Sequence, residues 1–142
     1  MKFFINIFIS LLFTSLAIGG DITSKSLAKI RVKAAMEVVG KYKFNDNITL
    51  IVPGAEISEC KRLSGKLWKG QIESSAKKRE PGHLFLTIEI QAISNNSAEC
   101  FYKIYANELS GAGGVIMLSQ DEDNDNKDKK WLLKSIEETY KS

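Results

Sequence analysis

The chain contains a single histidine, His83, and histidine is the side chain best suited to acid-base catalysis near neutral pH. A catalytic histidine works with a nucleophile and an orienting group, and no cysteine or aspartate lies near His83 in the sequence. The sequence motifs of zinc proteases, serine hydrolases, phosphate-binding loops and dithiol redox proteins are also absent. We therefore interpret His83 as a strand-end or surface residue and predict that the protein is not an enzyme.

A second candidate for chemistry is the acidic run at Asp121, Asp123 and Asp125, which matches the first three ligand positions of a calcium-binding EF-hand loop. The position of the obligatory turn glycine holds Asn126, and the position of the bidentate glutamate holds Leu132. The run therefore predicts a charged, solvated loop at about residues 120–130, and we expect neither a metal nor any other cofactor.

The two cysteines, Cys60 and Cys100, are a third candidate. In an oxidising compartment an even pair most simply forms one disulfide bond. A bridge across about 40 residues stabilises a fold by roughly 3–4 kcal/mol in the chain-entropy model. Two buried free thiols are the alternative, because free cysteine is often buried.

The N-terminal residues 1–19 have the composition of a signal peptide. Lys2 supplies a positive charge, residues 3–13 are mostly apolar, and small residues that suit signal peptidase occur at Ala17 and Gly19. A membrane-spanning helix needs roughly 20 apolar residues, so this run is short for a retained signal anchor, which is the alternative. We predict cleavage near Ala17 or Gly19, a secreted extracellular product, and no membrane association after cleavage.

Two glycosylation sequons begin at Asn47 and Asn95, both in polar stretches with the composition of turns. They are candidate sites if the chain passes through a eukaryotic secretory pathway.

The remaining residues, 20–142, have the composition of one globular domain. The chain is 44% hydrophobic and 26% charged, which argues against global disorder. A net charge of +3 is too small to indicate a nucleic-acid partner.

Hydrophobic periodicity predicts the elements of this domain. One amphipathic helix is expected from Asp21 to Tyr42, because apolar residues recur there at spacings of three and four. Short apolar or alternating stretches predict strands over residues 48–52, 66–74, 84–91, 100–106 and 115–118. Gly111–Gly114 is interpreted as a loose turn, and Trp131–Tyr140 fits either a helix or a strand. The sequence thus predicts an α+β fold with one long N-terminal helix packed on an antiparallel sheet.

The stretch Cys100-Phe101-Tyr102-Lys103-Ile104-Tyr105-Ala106, followed by Gly111 and Leu118-Ser119, resembles the penultimate strand of secreted cystatins. Cystatins are protein inhibitors of papain-like cysteine proteases. Val39-Gly40-Lys41-Tyr42 is similar to part of the long cystatin helix, and Gly19-Gly20 precedes the helix as the N-terminal glycine of that family does. The resemblance implies a cystatin-like fold. It also implies a wedge of three segments that present mainly backbone and fill the protease cleft.

The resemblance also implies which residues form this wedge. Its N-terminal piece is Gly20, and its second hairpin loop is Glu108-Leu109, where the family carries Pro-Trp. The first hairpin loop has two registers, neither with the Gln-x-Val-x-Gly pattern of the family. One register comprises Lys61, Arg62, Leu63, Ser64 and Gly65; the alternative comprises Arg79, Glu80, Pro81 and Gly82.

From this resemblance we expect a secreted, monomeric, reversible inhibitor of a papain-like cysteine protease. The alternative is a secreted binding module on a similar scaffold that does not inhibit proteases, since fold does not fix function.

Overall fold

The structure is a computed structural model that describes residues 23–43, 47–65, 68, 70–77, 82–107, 110–120 and 130–141. The predicted signal peptide, residues 1–19, lies outside these residues. The predicted charged loop also lies outside them, apart from its ends at residues 120 and 130. The helices and strands, in chain order, are α1 (Ser24–Tyr42), β1 (Ile48–Ile51), a 3₁₀ turn (Gly54–Glu56), α2 (Ile57–Ser64), β2 (Gln71–Glu73), β3 (Leu84–Ile93), β4 (Ser97–Asn107), β5 (Ser110–Gln120) and β6 (Trp131–Lys141).

The predicted N-terminal helix is confirmed as α1. Thr23 caps its start, because the Thr23 hydroxyl accepts a hydrogen bond from the Ser26 N–H at 3.2 Å. The helix continues through Gly40 and ends where Lys43 adopts a left-handed backbone with φ of 56°. One side of the helix is buried, through the residues Ala28, Ile30, Arg31, Val32, Ala34, Ala35 and Val38.

The middle of the chain forms a β-α-β unit. β1 and β2 are parallel neighbours, with Leu50 opposite Ile72, and parallel neighbours need a crossover such as α2 to connect them. β1 is also parallel to β3 on its other side, where Leu50 lies opposite Leu86. The first three strands of the sheet therefore all point the same way.

The rest of the chain is an antiparallel meander of β3, β4, β5 and β6, and the six strands form one sheet in the order β2-β1-β3-β4-β5-β6. Helices α1 and α2 pack on one face of this sheet. The core between the helices and the sheet contains Leu50, Leu86, Ile116, Leu118 and Tyr102, each almost completely buried.

The predicted fold class is wrong. The sequence predicted one long helix on an antiparallel, cystatin-like sheet, whereas the structure has a second helix and a six-stranded mixed sheet that dominates the domain. The difference arises between residues 48 and 73, where α2 reverses the chain direction so that β1 and β2 become parallel. Helix α2 has only eight residues, about two turns, so its apolar period was too short to detect.

One further segment differs from the prediction, and the structure decides another that the sequence left open between helix and strand. Gly111–Gly114, interpreted as a turn, lies inside β5, and the ambiguous segment from Trp131 is a strand. Within the described residues, neither helix has the length and apolar character needed to span a membrane.

Candidate functional site

The first register of the predicted first loop is helical. Arg62, Leu63 and Ser64 form the end of α2, and Gly65 caps it with φ of 49°, donating its N–H to the Lys61 carbonyl at 3.2 Å. The expectation of a hairpin loop at this place is therefore wrong. The sequence folds as a helix because Ile57, Cys60 and Leu63 recur at helical spacing and pack toward the core. A role of these residues in protease binding stays a prediction.

Other predicted pieces of the wedge are Gly20, Glu80, Pro81, Glu108 and Leu109, which lie outside the described residues. Their described neighbours do show where the chain runs. Gly82 lies two residues before β3 and has φ of 89°, a backbone conformation that glycine adopts readily. Asn107 and Ser110, on either side of the second predicted loop, lie opposite each other in β4 and β5.

The strand registers place several of these pieces at one end of the sheet. Ile48 lies opposite Leu84, and Phe85 lies opposite Tyr105, so the starts of β1 and β3 meet the end of β4. Gly82 thus precedes the strand adjacent to β4. Gly65 lines a cleft of about 450 Å³ beside the start of β2, which is three strand positions, or roughly 14 Å, from β4. The Gly82 register is therefore the nearer of the two to the β4–β5 connection.

Both cysteines are free thiols in the structure, in contrast with the predicted disulfide. Cys60 lies on α2 and Cys100 on β4, and neither side chain has measurable solvent exposure. Burial raises the pKa of the Cys60 thiol to about 11 and that of the Cys100 thiol to about 12. Such thiols are protonated at neutral pH, so they are poor nucleophiles and poor metal ligands.

The contacts of His83 indicate a structural role for its side chain and not a catalytic one. Its Nε2 atom lies 2.7 Å from the buried Thr49 hydroxyl, and its ring packs edge-on against Phe85 at 5.3 Å between centroids. Phe85 stacks in turn on Tyr105 at 5.4 Å, and the Lys103 ammonium lies 5.3 Å from the Tyr105 ring centre. This row anchors the start of β3 to β4 and brings no acid or thiol of the described residues into hydrogen-bond contact with the His83 ring.

The sheet face opposite the helices carries the best candidate for a binding site. We call it the open face, because no described helix covers it. Strand alternation places on it the side chains of Thr87, Glu89, Phe101, Lys103, Tyr105, Val115 and Met117. Phe101, Val115 and Met117 are only partly buried, and Glu89 and Lys103 are exposed.

A groove of about 410 Å³ crosses the open face from β3 to β6. Phe101 and Val115 supply its apolar lining, and Glu89 and Lys103 supply one negative and one positive charge. On the β6 side the groove is bounded by Tyr140, which is 47% exposed and lies over Gly113. A Cβ atom at Gly113 would lie 2.4 Å from the Tyr140 ring, so the glycine is what allows the aromatic ring to lie there.

Sequence reasoning missed this groove although its signal was present. The alternation in residues 84–91 and 100–106 already separated Phe101, Lys103 and Tyr105 from Cys100 and Tyr102. Only the strand order showed that these side chains share a face with Val115 and Tyr140, and nothing local to the sequence specifies that order.

The asparagines of both sequons are exposed. Asn47 directly precedes β1, and Asn95 lies in the turn between β3 and β4. Their use stays a prediction.

Among the described residues, no group of three or more histidine, cysteine, aspartate or glutamate side chains is arranged to hold a metal ion. In comparisons with known proteins, no family model, no curated protein and no solved structure matches the chain.

Proposed function

We propose that the protein is a secreted binding module without enzymatic activity, which captures an extended polypeptide segment in the groove of its open face. The observation that carries this proposal is that Phe101 and Val115 are partly exposed, between Glu89 and Lys103, on a sheet face that no described helix covers. Exposed apolar side chains framed by polar groups are typical of interaction surfaces. Secretion rests on the N-terminal sequence pattern described above.

The charges of the groove favour a polypeptide over a nucleic acid. Glu89 lies in the groove beside Lys103, and Glu137 lies on the same face of β6, opposite Val115. Carboxylates at these places repel phosphate groups. In a peptide of mixed charge, basic groups can pair with the carboxylates and acidic groups can pair with Lys103. Aromatic side chains such as Phe101 and Tyr140 are enriched in protein interfaces, and tyrosine is among the residues that often dominate the binding energy.

The test is selection of a phage-displayed peptide library on the purified protein, followed by affinity measurements with the selected peptides. Phe101→Ser should weaken binding by about tenfold to a thousandfold, as truncation of an interface anchor does. Leu133→Ser is the matched control, because Leu133 is 39% exposed but lies opposite Leu118, on the helix side of the sheet. Circular dichroism confirms that both variants fold. Selected peptides that bind parent and Phe101→Ser equally, or a failure to select any peptide, would reject the proposal.

A second candidate function is reversible inhibition of a papain-like cysteine protease. It is supported by the sequence resemblance to cystatins and by the position of Gly82 next to the end of β4, where two pieces of a wedge would lie side by side. The resemblance in sequence is the stronger support, because the sheet topology is not the one expected for that family.

Titration of a papain-like protease with the purified protein tests this candidate and separates it from the first. Leu109→Ala should weaken inhibition by about tenfold or more, and Leu109→Trp should strengthen it, if an apolar tip enters the cleft. Phe101→Ser should leave inhibition unchanged, because it lies away from the sheet end. A parent protein that shows no inhibition at micromolar concentration removes this function and leaves the peptide-binding proposal standing.

A further inference from the structure

Among the described residues, no strand pairs with the outer edge of β6. Strand β6 has eleven residues, whereas the opposite outer strand, β2, has three. An edge of this length presents a row of backbone N–H and C=O groups that can accept another strand. Among the described residues, the large hydrophobic side chains that are well exposed to solvent are all on β6: Leu132, Leu133 and Tyr140.

We infer that a second copy of this chain pairs with β6, in an antiparallel arrangement about a twofold axis at Ile136. One continuous sheet then runs through both copies. This inference rests on strand pairing and not on the proposed peptide groove, with which it shares Tyr140, and it replaces the sequence-based expectation of a monomer.

The bulges of β6 define which registers are available. The register with β5 skips Lys134 and Thr139, so regular alternation covers Ser135 to Glu138. A twofold axis perpendicular to the sheet keeps the two faces of the sheet distinct, so within the regular stretch from Ser135 to Glu138 residues opposite each other must belong to the same face. That condition requires a residue, and not the gap between two residues, to lie on the axis.

An axis at Ile136 gives complementary pairs on both sides. Lys134 of each copy lies opposite Glu138 of the other, which places opposite charges together twice. Leu132 lies opposite Tyr140, and both side chains belong to the open face, since their partners in β5 are Ser119 and Gly113. Cross-strand pairs of opposite charge and of apolar with aromatic residues are the kinds that stabilise antiparallel sheets.

Axes at the neighbouring residues are less favourable. An axis at Glu137 places two glutamates directly opposite each other, which is destabilising. An axis at Ser135 places Glu138 opposite Leu132 and leaves Lys134 opposite Ile136, so that no charge pair forms. A lysine on an edge strand ordinarily discourages a further strand, and only the Ile136 register gives Lys134 a carboxylate partner.

Analytical ultracentrifugation of the full chain across micromolar concentrations tests the inference, and the expected result is a mass of two chains. Lys134→Glu should weaken association by about tenfold or more, because symmetry places two new glutamate pairs in the interface. Glu138→Lys should do the same, although it also removes the hydrogen bond from the Tyr42 hydroxyl to Glu138. The double variant Lys134→Glu/Glu138→Lys should restore association, since each charge pair is re-formed with its partners exchanged.

Lys25→Glu is the matched control, because it makes the same charge change on the exposed first turn of α1 and should leave association unaltered. Phe101→Ser should also leave association unaltered, which separates this interface from the peptide groove. A parent protein that stays monomeric at high micromolar concentration overturns the inference. A dimer that tolerates both single charge reversals overturns the β6 interface.

Discussion

Arg31 is a charged side chain that projects from α1 into the core. Its Nε atom donates to Glu56 Oε1 at 2.8 Å, and its Nη2 atom approaches Glu56 Oε2 at 3.3 Å. Its Nη1 atom donates to the carbonyl oxygen of Ile88 in β3. The side chains of Arg31 and Glu56 are only 10% and 4% exposed, so this ion pair joins α1, the 3₁₀ turn and the sheet away from solvent.

Glu56→Ala should lower the free energy of unfolding by about 3–5 kcal/mol, because it leaves the guanidinium buried without its counter-charge. Chemical denaturation measures this. Glu59→Ala is the matched control, since Glu59 pairs with Arg62 at the surface and its loss should barely alter stability. Equal effects of the two substitutions would show that the Arg31–Glu56 pair does not hold the three elements together.

The buried thiols predict a pH dependence of stability. Burial raises the pKa of Cys60 from 9.0 to about 11, so the unfolded chain loses this proton at lower pH than the folded chain does. The contribution of Cys60 to the free energy of unfolding is fully present below pH 9 and is lost as the pH rises toward 11. The contribution of Cys100 is lost in the same way, up to about pH 12. The free energy of unfolding should therefore fall across this range.

Comparison of the parent with the Cys60→Ala/Cys100→Ala variant isolates the thiols. This comparison is needed because burial also raises the pKa values of Tyr42 and Tyr102. Their ionisation therefore also lowers the free energy of unfolding as the pH rises. If non-reducing peptide mapping finds the two cysteines joined, as the sequence analysis predicted, the thiol part of this pH dependence must be absent.

The glycines of β5 explain why this strand is hard to recognise from the sequence. A Cβ atom at Gly114 would lie 1.9 Å from the carbonyl oxygen of Glu137 and 2.8 Å from the Tyr102 ring. At Gly113 the Tyr140 ring occupies the space of a side chain. A glycine-rich strand has little local signal, because its packing partners come from β4 and β6.

Gly114→Ala should therefore destabilise the fold by about 1–3 kcal/mol through overpacking against the β6 backbone. Gly40→Ala is its counterpart, because Gly40 lies exposed in α1, where a Cβ atom would meet nothing within 4 Å. That change should stabilise by about 0.5–1 kcal/mol, since alanine has the higher helix propensity. Thermal unfolding of both variants checks the opposite signs, and a Gly114→Ala protein as stable as the parent would contradict the close approach of β5 to β6.

The elements that could be predicted from sequence are those with a long, regular period. Helix α1 and strands β3 and β4 show such periods, and each was located to within a few residues. Helix α2 is short, and the parallel pairing of β1 with β2 and β3 follows from a crossover that no local pattern specifies. The candidate groove and the β6 edge depend on this strand order, so they could be found only in the folded chain.

The two sides of the sheet differ in what packs against them. Helix α1 crosses one side, from Arg31 above β3 to Tyr42, whose hydroxyl lies 2.8 Å from the Tyr102 hydroxyl and donates to Glu138 at 2.6 Å. These contacts hold α1 against the sheet, with the buried core between them. No described helix covers the open face and no described strand pairs with the outer edge of β6. The two proposals assign the first surface to a peptide and the second to another copy of the chain.

The sequence predicts that the mature chain begins after the apolar N-terminal run. If residues up to Ala17 or Gly19 are removed on export, N-terminal sequencing of the exported protein should start at Ile18 or Gly20. Both positions precede Thr23, the cap of α1, so a chain that starts at Gly20 should unfold with the same free energy as the full-length chain. Thr23→Ala in that shorter chain should cost about 1 kcal/mol, because the Ser26 N–H loses its acceptor. Recovery of intact Met1 in the membrane fraction would contradict cleavage and favour a signal anchor, while a large loss of stability in the chain from Gly20 would show that the fold needs residues before the cap.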